Sequence, residues 1–429
     1  MSLMALAFLV NYLRSPKELL NGQVYAEEGT TYLRYAWNAN PIRALFAPHM
    51  GYYSLLDNVM TVIAARLLPL SAAAYLFSWT ALCVRLLASY FVVTSEYLVD
   101  FRSRIIALLS FLVATGSLEG WLSLEYSQFC LPICVSMILI ATEARWQSKG
   151  SSIFRYAVLL LSGLTGVTSC MLLPLFWVKA ALQRTKAAFI ECGVLTLTTI
   201  VQLAFILPYL RMGDNHGLAL QFRFAGPVLL QRILLLPLFT SRAILYTNHL
   251  FATHPLVAIW GGWLCLFAGI LLLFRLSRPY GTTPIFLIAA AVLSSSVNWL
   301  GCPVCSDPGL FSLNPVTASR YFYPADALIA LAASFMFVLA PDRRRRIMTG
   351  SLLFLVLVSG ALQYPRGMGW LNNSRAEWRP QVQAWKRDAS TPIYIPPSYW
   401  TGALQLPHEH ADAPLPVAIY DTARLPPRR

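Results

Sequence analysis

Apolar residues gather into long blocks along this chain, at about 2–13, 76–98, 105–118, 127–142, 156–178, 187–209, 256–274, 283–299, 321–340 and 347–364. Short polar stretches separate most of them. A helix needs roughly 20 predominantly apolar residues to span the hydrocarbon core. The pattern therefore predicts an all-α polytopic membrane protein. The first block is short: its twelve residues rise about 18 Å, less than the ~30 Å of the core. Either this helix is sunk among neighbours or the true start lies upstream.

Basic residues cluster between blocks: Arg102 and Arg104; Arg145, Lys149 and Arg155; Lys179, Arg184 and Lys186; Arg275 and Arg278; Arg343 to Arg346. Lys and Arg concentrate in cytoplasmic loops, so these are assigned to the cytoplasm. One block conflicts with a single crossing. Residues 156–178 carry Arg155 at one end and Lys179 at the other, and the centre, Ser162-Gly163-Leu164-Thr165-Gly166-Val167-Thr168-Ser169, is weakly helical. A tight hairpin that enters and returns resolves the conflict; one kinked helix is the alternative. Counting the hairpin as two legs predicts about 11 transmembrane helices, with the N-terminus cytoplasmic. A membrane domain over 1–364 then has outer loops at 14–75, 210–255 and 300–320, with a shorter one at 119–126. A Pro- and Trp-rich tail, 365–429, follows on the same outer side. Trp370, Trp378, Trp385 and Trp400 either anchor that tail at the membrane surface or fill a small local core.

Composition narrows the field. Only 12% of the 429 residues are charged against 57% apolar, with mean hydropathy +0.56. A soluble protein carries roughly 25% charged residues, so a cytosolic enzyme, a disordered chain and a small disulfide scaffold are excluded. The net charge of +14 sits mostly in short loops, which points to the lipid bilayer as partner and away from nucleic acid. No Gly-x-Gly-x-x-Gly or Walker pattern is present, which disfavours a nucleotide-using transferase or an ATP-driven pump. Most cysteines lie in or beside apolar runs, but Cys302 and Cys305 occupy a polar loop where a structural disulfide is one reading.

The chemistry concentrates in the first outer loop. Tyr25-Ala26-Glu27-Glu28-Gly29 places two adjacent carboxylates near the membrane surface. Partial desolvation would raise such a carboxylate toward a pKa useful for deprotonating a sugar hydroxyl. Its neighbour would orient the acceptor or hold a divalent cation. The plainer reading is a solvated pair at a helix N-terminus. Interfacial amphipathic helices are expected over Thr31–Phe46, with Arg34 and Arg43, and over Tyr52–Leu68, with Asp57, Asn58 and Arg66. Arg320, at the outer end of a block and followed by Tyr321 and Tyr323, suits a phosphate through bidentate contacts; an interface anchor is the bland alternative. The 210–255 segment reads as another interfacial helix, with Arg223, Arg232 and Arg242 available to help grip a lipid phosphate or simply to meet anionic headgroups. Arg85, inside an apolar block, needs a partner or a water path. The pairs His249/His254 and His408/His410 make no zinc-type cluster, so no metal ligands are assigned.

Several short motifs resemble a group of bacterial multi-span proteins. They are Tyr25-Ala26-Glu27-Glu28-Gly29 with Pro48-His49-Met50-Gly51-Tyr52, Leu161-Ser162-Gly163-Leu164-Thr165-Gly166 with Leu172-Leu173-Pro174-Leu175-Phe176, Ser319-Arg320-Tyr321-Phe322-Tyr323-Pro324, and Ile395-Pro396-Pro397-Ser398-Tyr399-Trp400. That group resembles GT-C-type glycosyltransferases, which use a polyprenyl-phosphate-linked sugar and an acidic first outer loop. The resemblance implies Glu27 or Glu28 as catalytic base; beside it, the residues' own chemistry offers Arg320 with Tyr321, Arg232 and Arg223 for the donor phosphate, and Tyr25, Tyr52, Tyr323 and Trp400 for the substrate pocket. It implies a bacterial inner-membrane enzyme that inverts the sugar by direct displacement onto a periplasmic glycan or lipid-linked acceptor. The second acid departs from the group's usual Asp, and Glu119 to Tyr126 replaces an Asn-rich segment. Two other functions stay open: a transporter or flippase of lipid-linked sugars, and a non-catalytic partner in envelope polysaccharide assembly.

Overall fold

Side-chain caps open several of the helices that the apolar blocks predict. Ser2 accepts from the Ala5 N–H ahead of α1 (Leu3–Arg14), and Asp100 from Ser103 ahead of α7 (Phe101–Leu112). Ser148 accepts from Ser151 ahead of α9 (Lys149–Leu164), and Asp342 from Arg345 ahead of α17 (Arg343–Gln363). Such caps satisfy N–H groups that a first helical turn leaves unpaired. The computed structural model describes residues 2–115, 121–142, 148–211, 222–300, 319–364, 377–396 and 403–408. The first loop carries α2 (Pro16–Asn21), α3 (Arg34–Asn38), α4 (Pro41–Phe46) and α5 (Leu55–Arg66). The body adds α6 (Leu70–Val93), α8 (Ser127–Ile140), α10 (Leu173–Gln183), α11 (Lys186–Arg211), α12 (Ala225–Leu229), α13 (Leu236–Thr253), α14 (Pro255–Ser277), α15 (Thr282–Leu300) and α16 (Ser319–Val338). The tail holds α18 (Trp378–Arg387) and a two-stranded antiparallel ribbon, Ile393–Tyr394 with Ala403–Leu404.

Among the described residues, seven helical stretches are long and apolar enough to cross a membrane. The chain is an all-α, multi-pass membrane protein. Burial ranks the helices: 83% of the apolar window of α16 is buried, against 22% of that of α14. So α16 is the central post, packed by α7, α8, α15 and α17, and α14 faces outward.

The 156–178 block forms a hairpin. Helix α9 stops at Leu164, the chain turns through Thr165 to Ser169, and α10 returns. Arg155 and Lys179, from the two ends, both bind Glu191 of α11 at 2.9 Å, so both ends lie at one level of the molecule. The tip is fastened by Gln202. Its amide donates to the carbonyls of Tyr53, Gly163 and Gly166 and accepts from the Tyr53 N–H. Gly166 has φ +79°, and a Cβ there would lie 2.3 Å from Gln128 Oε1. Gly166→Ala is therefore expected to lower stability by about 1–3 kcal/mol. Thermal unfolding of the purified protein measures this; an unchanged midpoint would remove the tip from the account.

The expectation of one interfacial helix over 210–255 is corrected. Residues 225–253 make two helical legs, α12 with a π turn (Leu230–Leu235) leading into α13, which breaks at Thr240 (φ 71°, ψ 174°). Gln231 Nε2 donates to Thr247 Oγ1 at 3.0 Å and to Asn248 Oδ1 at 2.8 Å. In a straight helix residues sixteen apart are separated by about 24 Å, so the legs run antiparallel although the whole stretch has the length and hydropathy of a span. Arg232 is consequently buried, 5.6 Å from the Phe322 ring.

The first loop departs from its expected shape too. Instead of one helix over Thr31–Phe46 it makes a π turn (Glu28–Leu33), α3 and α4, with a break at Ala39–Asn40 where Asn40 caps the Pro41 helix. The tail covers the α3 part of this stretch: the Trp37 indole donates to the Pro407 carbonyl at 2.9 Å and meets Trp385 edge-on at 5.7 Å, while Ile42 and Phe46 of α4 stay exposed. Trp378 donates to the Leu70 carbonyl and Trp385 to that of Leu406, so these two tryptophans fill a local core. Trp370, Trp400, Cys302 and Cys305 lie outside the described residues.

Candidate functional site: a buried acidic cluster at the first loop

The loop that carries the acidic pair is held in an unusual conformation. Ala26 has φ +41°, a region that a residue with a Cβ adopts only under constraint. Its N–H donates to the Pro396 carbonyl of the tail at 2.8 Å. Beyond it, the π turn starts at Glu28, and such turns frequently mark functional sites. Gly29 lets the tail approach: a Cβ there would sit 1.9 Å from Ile395 Cδ1.

The two acids do different things. Glu28 is buried with both oxygens occupied. Oε2 accepts from the Tyr25 N–H at 2.8 Å, and Oε1 accepts from Ser123 Oγ at 2.7 Å and the Glu125 N–H at 3.2 Å. Burial pushes its pKa up to about 8, although these three hydrogen bonds pull the other way. Its extra methylene relative to Asp is spent reaching across to the 121–126 loop. Glu27 is 5% exposed, and its Oε2 has no hydrogen-bond partner.

Glu27 faces Glu125, a residue that the sequence reading did not select. Burial first, and the facing Glu27 next, raise the Glu125 carboxyl well above the usual range, against the pull of the Arg320 guanidinium. Asp57, at the start of α5, is raised to about 7 by burial and accepts a hydrogen bond from Ser54. His49 is pressed down to about 4 by burial between the edges of Tyr32 and Tyr35, which makes it a neutral packing residue.

Arg320 joins this group from the first turn of α16. Its Nη1 donates to the Tyr126 hydroxyl at 2.9 Å, and its guanidinium lies 5.0 Å from the Tyr321 ring. Tyr321 is fixed through its carbonyl, which accepts from Asn298, itself bonded to Thr168 of the hairpin turn. Tyr25 packs edge-on against Tyr126 at 5.6 Å. Tyr52 accepts from Gln128 at 3.0 Å and lies within electrostatic reach of Glu125. Thus Glu27, Glu28, Arg320, Tyr321, Tyr25 and Tyr52 come together, and Glu125, Ser123 and Tyr126 complete the cluster.

Three other expected residues lie elsewhere. Tyr323 receives a hydrogen bond from Arg85 Nη1 at 3.2 Å and belongs to a second group. There the Trp121 indole has the Arg14 guanidinium 3.6 Å and the Arg85 guanidinium 3.5 Å from its centre. Arg232 sits under Phe322. Arg223 is exposed and stacks on its own neighbour Phe224. Among the described residues no three His, Cys, Asp or Glu side chains are arranged to hold a metal ion, so the divalent-cation option has no ligand set there.

Glu125 and Asp57 could have been flagged from sequence by one signal: each is a lone acid next to strongly apolar neighbours. That signal does not say what they face. Compared with models of known protein families, with characterised proteins and with solved structures, the chain shows no match.

Proposed function

We propose that the protein is a membrane glycosyltransferase of GT-C type. It would move a sugar from a polyprenyl-phosphate-linked donor to a glycan or lipid-linked acceptor. The observation that supports this reading most is the Glu27 carboxyl: buried, with one oxygen free of hydrogen bonds, against Glu125 and in one cluster with Arg320. Glu27 takes the proton from the acceptor hydroxyl as that oxygen attacks the anomeric carbon. The bond from that carbon to the phosphate oxygen breaks, and its electron pair leaves with the phosphate. Arg320 offsets the charge that develops there. Glu125, carrying its own proton, holds Glu27 in place. Inversion in one step follows from attack opposite the leaving group.

The same reading keeps about 11 spans in a bacterial inner membrane, the N-terminus cytoplasmic, and the acidic cluster and tail periplasmic. The test is transfer by the purified protein in nanodiscs from a polyprenyl-phosphate sugar to an envelope glycan acceptor. Arg320→Ala is expected to lower kcat/KM for the donor at least tenfold with normal insertion. Donor dependence equal to wild type would remove the phosphate role. Movement of the lipid-linked sugar across the bilayer without transfer would favour a flippase.

A further inference from the structure

The far end of α16 carries a feature that the acidic cluster does not use. The helix runs twenty residues from Ser319 to Val338, about 30 Å, so the start of α17 lies roughly one hydrocarbon thickness away from Arg320. Four consecutive arginines, Arg343 to Arg346, open α17 there, and all four are exposed. Their acidic neighbour Asp342 is already engaged: it accepts from the Arg345 N–H at 2.8 Å and pairs with Arg345 Nε at 3.4 Å. Among the described residues no carboxylate stands at ion-pair distance from Arg343, Arg344 or Arg346. Arg346 reaches back and donates to the Ala340 carbonyl at 3.4 Å, which places its guanidinium beside the end of α16.

An open groove of about 510 Å³ starts between these arginines, within the roughly 300–1,000 Å³ of an ordinary ligand pocket. One wall is Phe337 of α16. The floor is a stripe of α17 that runs from Arg343 and Arg346 past Ile347 and Gly350 to Phe354 and Leu355. Residues at these three- and four-residue steps share one helix face, and the stripe is about 18 Å long. Gly350 opens the hollow: a Cβ there would lie 3.2 Å from Phe337 Cε2. Ile347 is 61% and Phe354 64% exposed, so among the described residues nothing covers the floor.

The groove is therefore charged at one end and apolar along the rest. That is the pattern of an amphiphile with an anionic head. A second copy of the chain fits poorly. Two copies in one membrane have the same orientation, so a closed pair would set this stripe against itself and bring arginines against arginines. We propose that the groove binds an anionic diacyl phospholipid of the surrounding bilayer. Its phosphate lies against Arg343 and Arg346, and one acyl chain lies along Ile347, Gly350 and Phe354. Guanidinium groups meet phosphate oxygens through paired hydrogen bonds, and basic pockets between spanning helices suit lipid head groups. The bound lipid joins the exposed ends of α16 and α17, so the stability of the protein depends on anionic lipid. The assignment stands apart from the glycosyltransferase reading.

The experiment measures thermal unfolding of the delipidated full-length protein in neutral detergent. The additions are dioleoyl phosphatidylglycerol, dioleoyl phosphatidylcholine and glycerol phosphate. Phosphatidylglycerol is expected to raise the midpoint saturably, and the other two are not. The double variant Arg343→Gln/Arg346→Gln should need about thirtyfold more phosphatidylglycerol, since each arginine near a lipid surface contributes about 1 kcal/mol. Ser351 lines the groove and is exposed, so Ser351→Trp fills the space without changing charge or reaching the core, and it should lose the response. Arg184→Gln/Lys186→Gln removes the same charge at another basic turn and should respond like wild type. Equal loss in both double variants would assign the effect to charge in general and overturn the site. A Ser351→Trp protein that responds like wild type would show that no chain enters the groove. An equal response to phosphatidylcholine overturns the anionic head, and an equal response to glycerol phosphate overturns the lipid as occupant. A dimer that Ser351→Trp dissolves would give the groove to a second copy. No response in wild type ends the proposal.

Discussion

Replacing Glu27 by Gln is expected to reduce sugar transfer by roughly 10²–10⁴-fold, the contribution of a positioned general base, while leaving the fold almost untouched. The asymmetry between the two adjacent acids is the reason. Glu27 Oε2 makes no hydrogen bond, so an amide in its place removes the proton acceptor and breaks little else. Glu28 accepts three hydrogen bonds from donors on both of its oxygens. An amide nitrogen there must face either the Tyr25 N–H or the Ser123 and Glu125 donors. Glu28→Gln should therefore cost about 1–3 kcal/mol, as a buried donor left without its acceptor does, and reduce transfer only through the disturbed loop. Initial rates in nanodiscs, paired with melting temperatures, separate the two effects. A Glu27→Gln enzyme with the wild-type rate would end the catalytic assignment.

At the far level of the molecule, Glu191→Ala is expected to destabilise by about 3–5 kcal/mol, the usual consequence of removing one partner from a buried ion group. Glu191 is 1% exposed. It binds Arg155 and Lys179 at 2.9 Å each, and these are 2% and 3% exposed. Lys179 also donates to the Ile138 carbonyl. Without the carboxylate, two cations stay buried side by side between α8, α9, α10 and α11. Glu191→Gln should cost less, since the amide oxygen still accepts. Replacing all three by Met should be far milder than Glu191→Ala, because no charge is then left buried. Thermal unfolding and yield in detergent are the measurements. A Glu191→Ala protein that melts with wild type would show that the group does not hold the hairpin.

The hairpin was legible in advance because charge is a strict reporter of level: basic residues at both ends of one apolar block contradict a single crossing. The 210–255 segment was misread for the opposite reason. Its Leu-rich background with spaced arginines matches an interfacial helix, a spanning helix and a pair of antiparallel legs equally well. The contacts of Gln231 with Thr247 and Asn248 that select among them are tertiary. Likewise, Arg34, Arg43 and the aromatics of Thr31–Phe46 suggested one surface helix, but the tail covers α3, the chain breaks before α4, and the π turn breaks its period.

The chain's own order of residues determined the multi-pass helical class, the shared level of Arg155 and Lys179 at the two ends of the hairpin, and the placement of two acids and one arginine at chain positions that a membrane boundary would bring near each other. Those follow from the cost of burying charge in hydrocarbon, which acts position by position. What only the tertiary structure decided is which acid is spent on hydrogen bonds and which keeps a free oxygen, and that Glu125 opposes it. Those depend on which groups face each other across α6, α8, α16 and the tail, and a facing group leaves no mark in the local sequence.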